Sequence, residues 1–168
     1  MSKAITVKAL DPQHVLKYFW HARPLAQTED WIVLYGEWGR LLHHAEGETV
    51  PITNRSLEFY ARRRPYVISV ILDRAGKLQE YYGRVILPPL VYEPAKQIEF
   101  VMLGVDLPVT PDYDYEILDR AAQNYDDETL STQAQHGLME LVELLERREG
   151  PFDPEFVDLY LQRAREHR

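Results

Sequence analysis

The sequence predicts a mainly β protein of the α+β class: an antiparallel β-barrel followed by two C-terminal α-helices. Three observations carry that expectation. Runs rich in Val, Ile, Tyr, Phe and Trp recur between residues 4 and 118, and no helix long enough for a βαβ crossover separates them. Strands without such crossovers pair largely antiparallel and curl onto themselves. Later the period changes, because Ala134, Leu138, Leu141, Val142 and Leu145 fall at helical spacing. Finally, 168 residues with 45% hydrophobic and 27% charged content suit one domain with a sizeable core. Residues 1–168 are therefore expected to form a single domain, with the barrel over about 1–120 and the helices over about 131–168.

The elements follow in order. Residues 4–10 make a first strand, closed by Asp11-Pro12. Residues 15–20, VLKYFW, make a second that ends at Arg23-Pro24, and residues 31–35, WIVLY, make a third. Gly36 and Gly39 mark a tight connection to a short strand over 40–44. Residues 56–64 fit either a helical turn or an irregular strand. Residues 66–72, YVISVIL, form a hairpin through Asp73-Arg74-Ala75-Gly76 with 78–87, which Pro88-Pro89 stops. Residues 98–109 and 113–118 read as a second hairpin about the turn Thr110-Pro111-Asp112. Ser131 or Thr132 can cap the first helix and Gly150-Pro151 can end it. Asp153-Pro154 supplies the cap and first residue of the second helix, whose stripe is Phe156, Val157, Tyr160, Leu161 and Ala164.

Composition narrows the function classes. The absence of Cys excludes disulfides, thiol catalysis and zinc–thiolate sites, and it suits a reducing cytoplasm. No apolar run approaches the roughly 20 residues of a membrane span, and the first ten residues lack the apolar core of a signal peptide. A net charge of −8 argues against broad nucleic-acid binding. No Ser/His/Asp order, glycine-rich phosphate loop or H-E-x-x-H occurs.

The chemistry concentrates in residues 98–119. Alternation on a strand puts Met102, Gly104 and Asp106 on one face, with Asp119 near the far end of the hairpin. This segment also carries a resemblance. Tyr81-Tyr82 through Pro88, Val105-Asp106-Leu107, residues 115–119 and Gly150-Pro151-Phe152-Asp153-Pro154-Glu155-Phe156 resemble the FomD-like family over about the whole chain. Its members include nucleoside tri- and diphosphate phosphatases and a hydrolase of a cytidylylated phosphonate. The resemblance implies an antiparallel barrel with C-terminal helices packed on it and a divalent-metal phosphohydrolase site.

At that site the sequence departs from the family. The alternating acidic positions fall on Met102, Gly104 and Asp106, and a following Asp and Glu fall on Asp119 and Ala122. A family Asn falls on Arg84, and a proton-donating Arg falls on or near Tyr18, beside Lys17. The resemblance thus implies Asp106 and Asp119 as metal ligands, Arg84 as a phosphate contact and Lys17 or Tyr18 as the catalytic acid. Mg²⁺ or Mn²⁺ would be bound weakly, since hard cations want several oxygen ligands. Two readings of Arg84, Asp106 and Asp119 stay open: an ion cluster satisfied without metal, or an arginine that grips phosphate directly. Two function classes follow. One is a phosphohydrolase-like protein for nucleoside di- or triphosphates or other small phosphorylated molecules, with a depleted metal site. The other is a non-catalytic ligand-binding or protein-interaction module on the same barrel.

Three further features remain. Arg62-Arg63-Arg64, beside Tyr60 and Tyr66, fits a solvated edge or a nucleotide contact. His43 and His44 point to opposite faces of a strand and cannot share one ion. Asp126-Asp127-Glu128 fits either helix-dipole chemistry or a relocated ligand set.

Overall fold

The computed structural model describes residues 3–120 and 128–166. Seven strands close a barrel: β1 (Ile5–Leu10), β2 (Leu16–Gln27), β3 (Trp31–Gly36), β6 (Arg55–Ala61), β7 (Tyr66–Leu72), β8 (Leu78–Ile86) and β10 (Gln97–Val109). Around the ring the order is β1-β10-β8-β7-β6-β3-β2, and β2 returns to β1. Short strands flank this ring. β4 (Leu41–His44) and β5 (Thr49–Pro51) extend from β2, while β9 (Leu90–Tyr92) and β11 (Leu118–Asp119) pair with β10.

The expected antiparallel barrel is in fact mixed, and parity is the reason. Strands that alternate in direction around a ring of seven cannot all be antiparallel, so one neighbouring pair must run the same way. That pair is β1 and β10, from Thr6 opposite Gln97 to Leu10 opposite Val101.

Other boundaries also differ from the sequence reading. β2 does not end at Arg23-Pro24; it continues to Gln27 through a register shift between Pro24 and Ala26. Such an irregularity is where a residue without an N–H fits a strand interior. Residues 55–61 are a regular strand, with every residue from Ser56 to Ala61 buried because both faces are covered. The return strand over 113–118 shrinks to Leu118–Asp119 and a single bridge, Val109 to Tyr115. Tyr113 takes a left-handed φ of 70° and its hydroxyl donates to the Phe152 carbonyl at 3.0 Å. The chain therefore leaves β10 to meet the C-terminal segment.

That segment is one bent helical rod in three pieces: α1 (Glu128–Glu146), a 3-10 turn (Gly150–Phe152) and α2 (Pro154–Glu166). Ser131 and Thr132 lie inside α1, so neither caps it. Arg148 and Gly150, both at positive φ, make the bend. Asp153 caps α2 as expected, its Oδ1 accepting the Glu155 N–H at 3.0 Å.

Period-two alternation sorts the strand side chains into two apolar layers. Val7, Ala9, Ala22, Ile32, Leu34, Tyr60, Val67, Ile86, Ile98 and Phe100 fill the barrel. Leu57, Phe59, Ile68, Val70, Tyr81, Val85, Leu103, Val105 and Leu107 form an outer layer beneath the helices. Phe152 is fully buried there against Tyr81, and Phe156 packs on Phe59 and Trp31. Among the described residues, no helix is long and apolar enough to cross a membrane.

Candidate functional site

The lumen is apolar at the end where β10 begins and polar towards the end where β1 finishes and β2 starts. Arg84 and Asp106 come together there because they are direct partners across β8 and β10. Directly opposed residues share a face. Between Met102 and Asp106, β10 carries two more residues than β8 does between Ile86 and Arg84. An even excess bends the strand without swapping its faces. Gly104 sits inside this bulge with φ 78°, a backbone region that costs a residue with a side chain roughly 1–2 kcal/mol. Met102, Gly104 and Asp106 all line one cavity, as alternation predicts.

The cavity holds about 580 Å³ and is lined by Asp11, Pro12, Gln13, Lys17, Tyr18, Arg84, Met102, Gly104, Asp106 and Arg120. Asp106 is 8% exposed in its side chain and fully engaged. Its Oδ1 accepts from Arg84 Nε at 3.2 Å, and its Oδ2 accepts from the Tyr82 hydroxyl at 2.7 Å. Arg84 donates through Nη1 to the Tyr18 hydroxyl at 2.5 Å, and Tyr18 donates to Met102 Sδ at 3.0 Å. Burial alone would lower the Arg84 pKa, but the Tyr18, Asp106 and Tyr82 oxygens outweigh it and raise it. The guanidinium stays charged. Burial, then the bond to Asp106, raises the Tyr82 phenol, which stays a donor.

The rim has its own ion pair. Asp11 Oδ1 accepts the Gln13 and Val15 N–H groups at 2.9 and 3.0 Å, and its Oδ2 lies 3.6 Å from Lys17 Nζ. The Val15 N–H is the largest influence holding the Asp11 carboxyl below its usual range, against a smaller opposing effect of burial. Arg120 follows β11 and is anchored by its N–H to the Gly104 carbonyl at 2.8 Å.

On the facing wall, β6 presents a second buried carboxylate. Glu58, 3% exposed, accepts the Trp20 Nε1–H at 3.0 and 3.1 Å, the Tyr60 hydroxyl at 2.5 Å and the Ser56 hydroxyl at 3.3 Å. Arg40 reaches in from the β3–β4 connection to Ser56 Oγ at 3.2 Å and Asn54 Oδ1 at 3.0 Å. The two walls meet through Tyr18 stacked on Trp20, with ring centroids 6.0 Å apart.

Sequence reasoning brought Lys17, Tyr18, Arg84 and Asp106 to this site, and all four line the cavity. Asp119 does not line it. It pairs opposite Val105, whose side chain packs in the outer layer, so it is one residue out of step with Asp106. Asp11, Arg120 and Glu58 were missed. A glutamate between Leu57 and Phe59 in a run of apolar residues was the available sign of Glu58.

Among the described residues, the donor set does not fit the divalent cation that the resemblance implies. Among the described residues, no three His, Asp or Glu side chains lie close enough to hold a metal ion. The carboxylates lining the cavity, Asp11 and Asp106, already have both oxygens bonded or ion-paired. Asp126, Asp127 and Ala122 lie outside the described residues, and Glu128 opens α1.

The remaining candidates do not line the cavity and have contacts of their own. Arg62 donates to the Thr28 carbonyl at 3.2 Å, and Arg64 pairs with Glu140 at 3.1 Å. His43 stacks on Phe19 while His44 faces Tyr18, on opposite sides of β4. Trp31 packs against Phe59, Tyr66 and Phe156. A groove of about 570 Å³ beside α1 rivals the mouth in size, but its ionised groups are Glu140, Glu143 and Glu146. It suits no anion.

No family model matches the chain. Among solved structures, the complex of FomD with CDP matches with a TM-score of 0.75, covering 93% of this chain and 90% of that chain at 14% identity. The phosphatase SC4828, solved with the non-hydrolysable nucleotide GPCP, matches with a TM-score of 0.76, covering 89% and 84% at 12% identity. The chain thus has the barrel fold seen in FomD and in this phosphatase, and at these identities the likeness is one of fold.

Proposed function

We propose that this barrel binds the phosphate groups of a nucleotide or another small phosphorylated molecule at its mouth. The observation that carries the reading is Arg84. It is a partly buried, permanently charged guanidinium on the floor of a cavity of about 580 Å³, with Lys17 and Arg120 on the lining beside it. On a chain of net charge −8 this local excess of cations is informative. The guanidinium fork matches phosphate oxygens in geometry and charge, and partial desolvation strengthens the contact. Two structures of the same fold hold CDP and GPCP, which supports a nucleotide as the ligand to try first.

Hydrolysis is a second reading, favoured by Lys17. Its ammonium is half exposed at the cavity rim, 3.6 Å from Asp11, where it can protonate a departing phosphate oxygen. Tyr18 is less suited to that role, because its proton is directed to Met102 Sδ.

Calorimetry with CDP, CMP, cytidine and inorganic phosphate tests the binding reading, with phosphate release followed in parallel. The expected result is affinity that rises with phosphate number and falls at least about tenfold in Arg84→Met, the size of one charge-assisted contact. Cytidine binding as tightly as CDP would contradict it. Loss of phosphate release in Lys17→Met with CDP affinity kept would support the hydrolytic reading.

A further inference from the structure

Resting on the phosphate-binding reading above, we infer that the mouth neutralises a diphosphate with two guanidinium groups and no divalent cation, Arg84 serving from the floor and Arg120 from the rim. The first support is the state of the carboxylates. Asp106 is bonded through both oxygens, to Arg84 and Tyr82, and Asp11 through both of its own, to the Gln13 and Val15 N–H groups and to Lys17. A cation entering here would have to break bonds to a partly buried positive group while sitting beside it. Magnesium also needs near-octahedral oxygen ligation. The neighbouring position on the same face is Gly104, which offers no ligand and whose φ of 78° belongs to the bulge and favours glycine.

The second support is the placement of Arg120. The β10 bulge turns the Gly104 carbonyl to the Arg120 N–H, so the feature that removes a ligand position also anchors the second arginine beside the cavity. Arg84 and Arg120 come from different elements, β8 and the residue after β11. Two forks on separate elements suit two linked phosphate groups better than one. The ligand class is therefore a diphosphate ester, held by charge-assisted hydrogen bonds where a metal would otherwise bridge the phosphates.

The test is calorimetry of CDP, CMP and inorganic pyrophosphate against chelator-treated protein, in EDTA and then in excess Mg²⁺. The proteins are wild type, Arg120→Gln and Arg84→Lys. The expected result is CDP and pyrophosphate binding in EDTA that excess Mg²⁺ leaves unchanged or weakens. Arg120→Gln, an exposed and structurally mild change, is expected to weaken CDP about tenfold and CMP by much less. Binding that appears only with Mg²⁺ would overturn the metal-free assignment while leaving the phosphate-binding reading intact. Equal loss of CDP and CMP in Arg120→Gln, or no loss, would overturn the two-fork assignment. No binding of CDP or pyrophosphate under either condition would overturn both readings.

Discussion

At the scale of single residues, the mouth is set by two buried carboxylates with opposite consequences. Asp106 fixes the cation that faces the cavity, whereas Glu58 fixes the wall that supports it. Glu58 gathers Trp20, Tyr60 and Ser56, and Trp20 carries the Tyr18 ring whose hydroxyl meets Arg84. Glu58→Gln puts an amide N–H₂ among donors and leaves one buried donor unmatched. The expected loss is about 1–3 kcal/mol in denaturant unfolding, with altered tryptophan emission. An unchanged midpoint would mean that the Glu58 charge is not needed to hold the wall. Asp11 gives a pH dependence of known sign. Its folded pKa lies below its unfolded one, so its contribution is full above about pH 4 and lost as pH falls through the folded value. Asp11→Ala should cost about 1 kcal/mol at pH 7 and less at pH 3. The same loss at both values would contradict this assignment. The Arg84–Asp106 pair was legible only through the family resemblance, which places both positions at one site; strand alternation by itself gave the shared face of Met102, Gly104 and Asp106. Arg120 was not, because its place depends on a backbone bond to a bulge, which no side-chain pattern records.

At the scale of elements, strands with two apolar faces were legible and a strand with a polar lumen face was not. YVISVIL in β7 is apolar enough to be read as a strand from composition, whereas SLEFYA in β6 mixes a lumen face of Ser56, Glu58 and Tyr60 with an outer face of Leu57, Phe59 and Ala61. The polar residues of the lumen face read in the sequence as a solvent-facing side, which hides the burial of this strand and of Glu58. The helix stop and restart around Gly150 and Asp153 were legible because capping is local chemistry. Helix packing yields a test against propensity. Gly137 in α1 lies on β8, and a Cβ there would come within 2.4 Å of Val85 Cγ1 and 3.3 Å of the Pro65 carbonyl. Helix propensity alone favours Ala over Gly by about 1 kcal/mol, but overpacking costs about 1–3 kcal/mol. Gly137→Ala is therefore expected to destabilise, with part of the loss recovered when it is combined with Val85→Ala. A stabilised single variant would show that α1 can lift off β8 freely.

At the scale of the whole molecule, closure explains both the missed topology and the position of the site. Seven strands force one parallel pair, β1 with β10. This pairing brings the end of β1, the start of β2 and the Asp106 stretch of β10 to one rim, which is where the cavity opens. Local patterns identify strands but do not count how many will close, so the parallel pair could not be read from them. The negative charge of the chain points in the same direction. Acidic groups dominate the α1 groove, and the cations of the mouth stand out against a molecule of net charge −8. The measurement that tests the central claim most directly is a crystal structure grown with a non-hydrolysable nucleoside diphosphate analogue. The account predicts phosphate density in the mouth, within hydrogen-bonding distance of the Arg84 guanidinium, with the Arg84–Asp106 pair intact. Ordered nucleotide elsewhere with the mouth empty, or in the mouth with its phosphates turned away from Arg84, would contradict it.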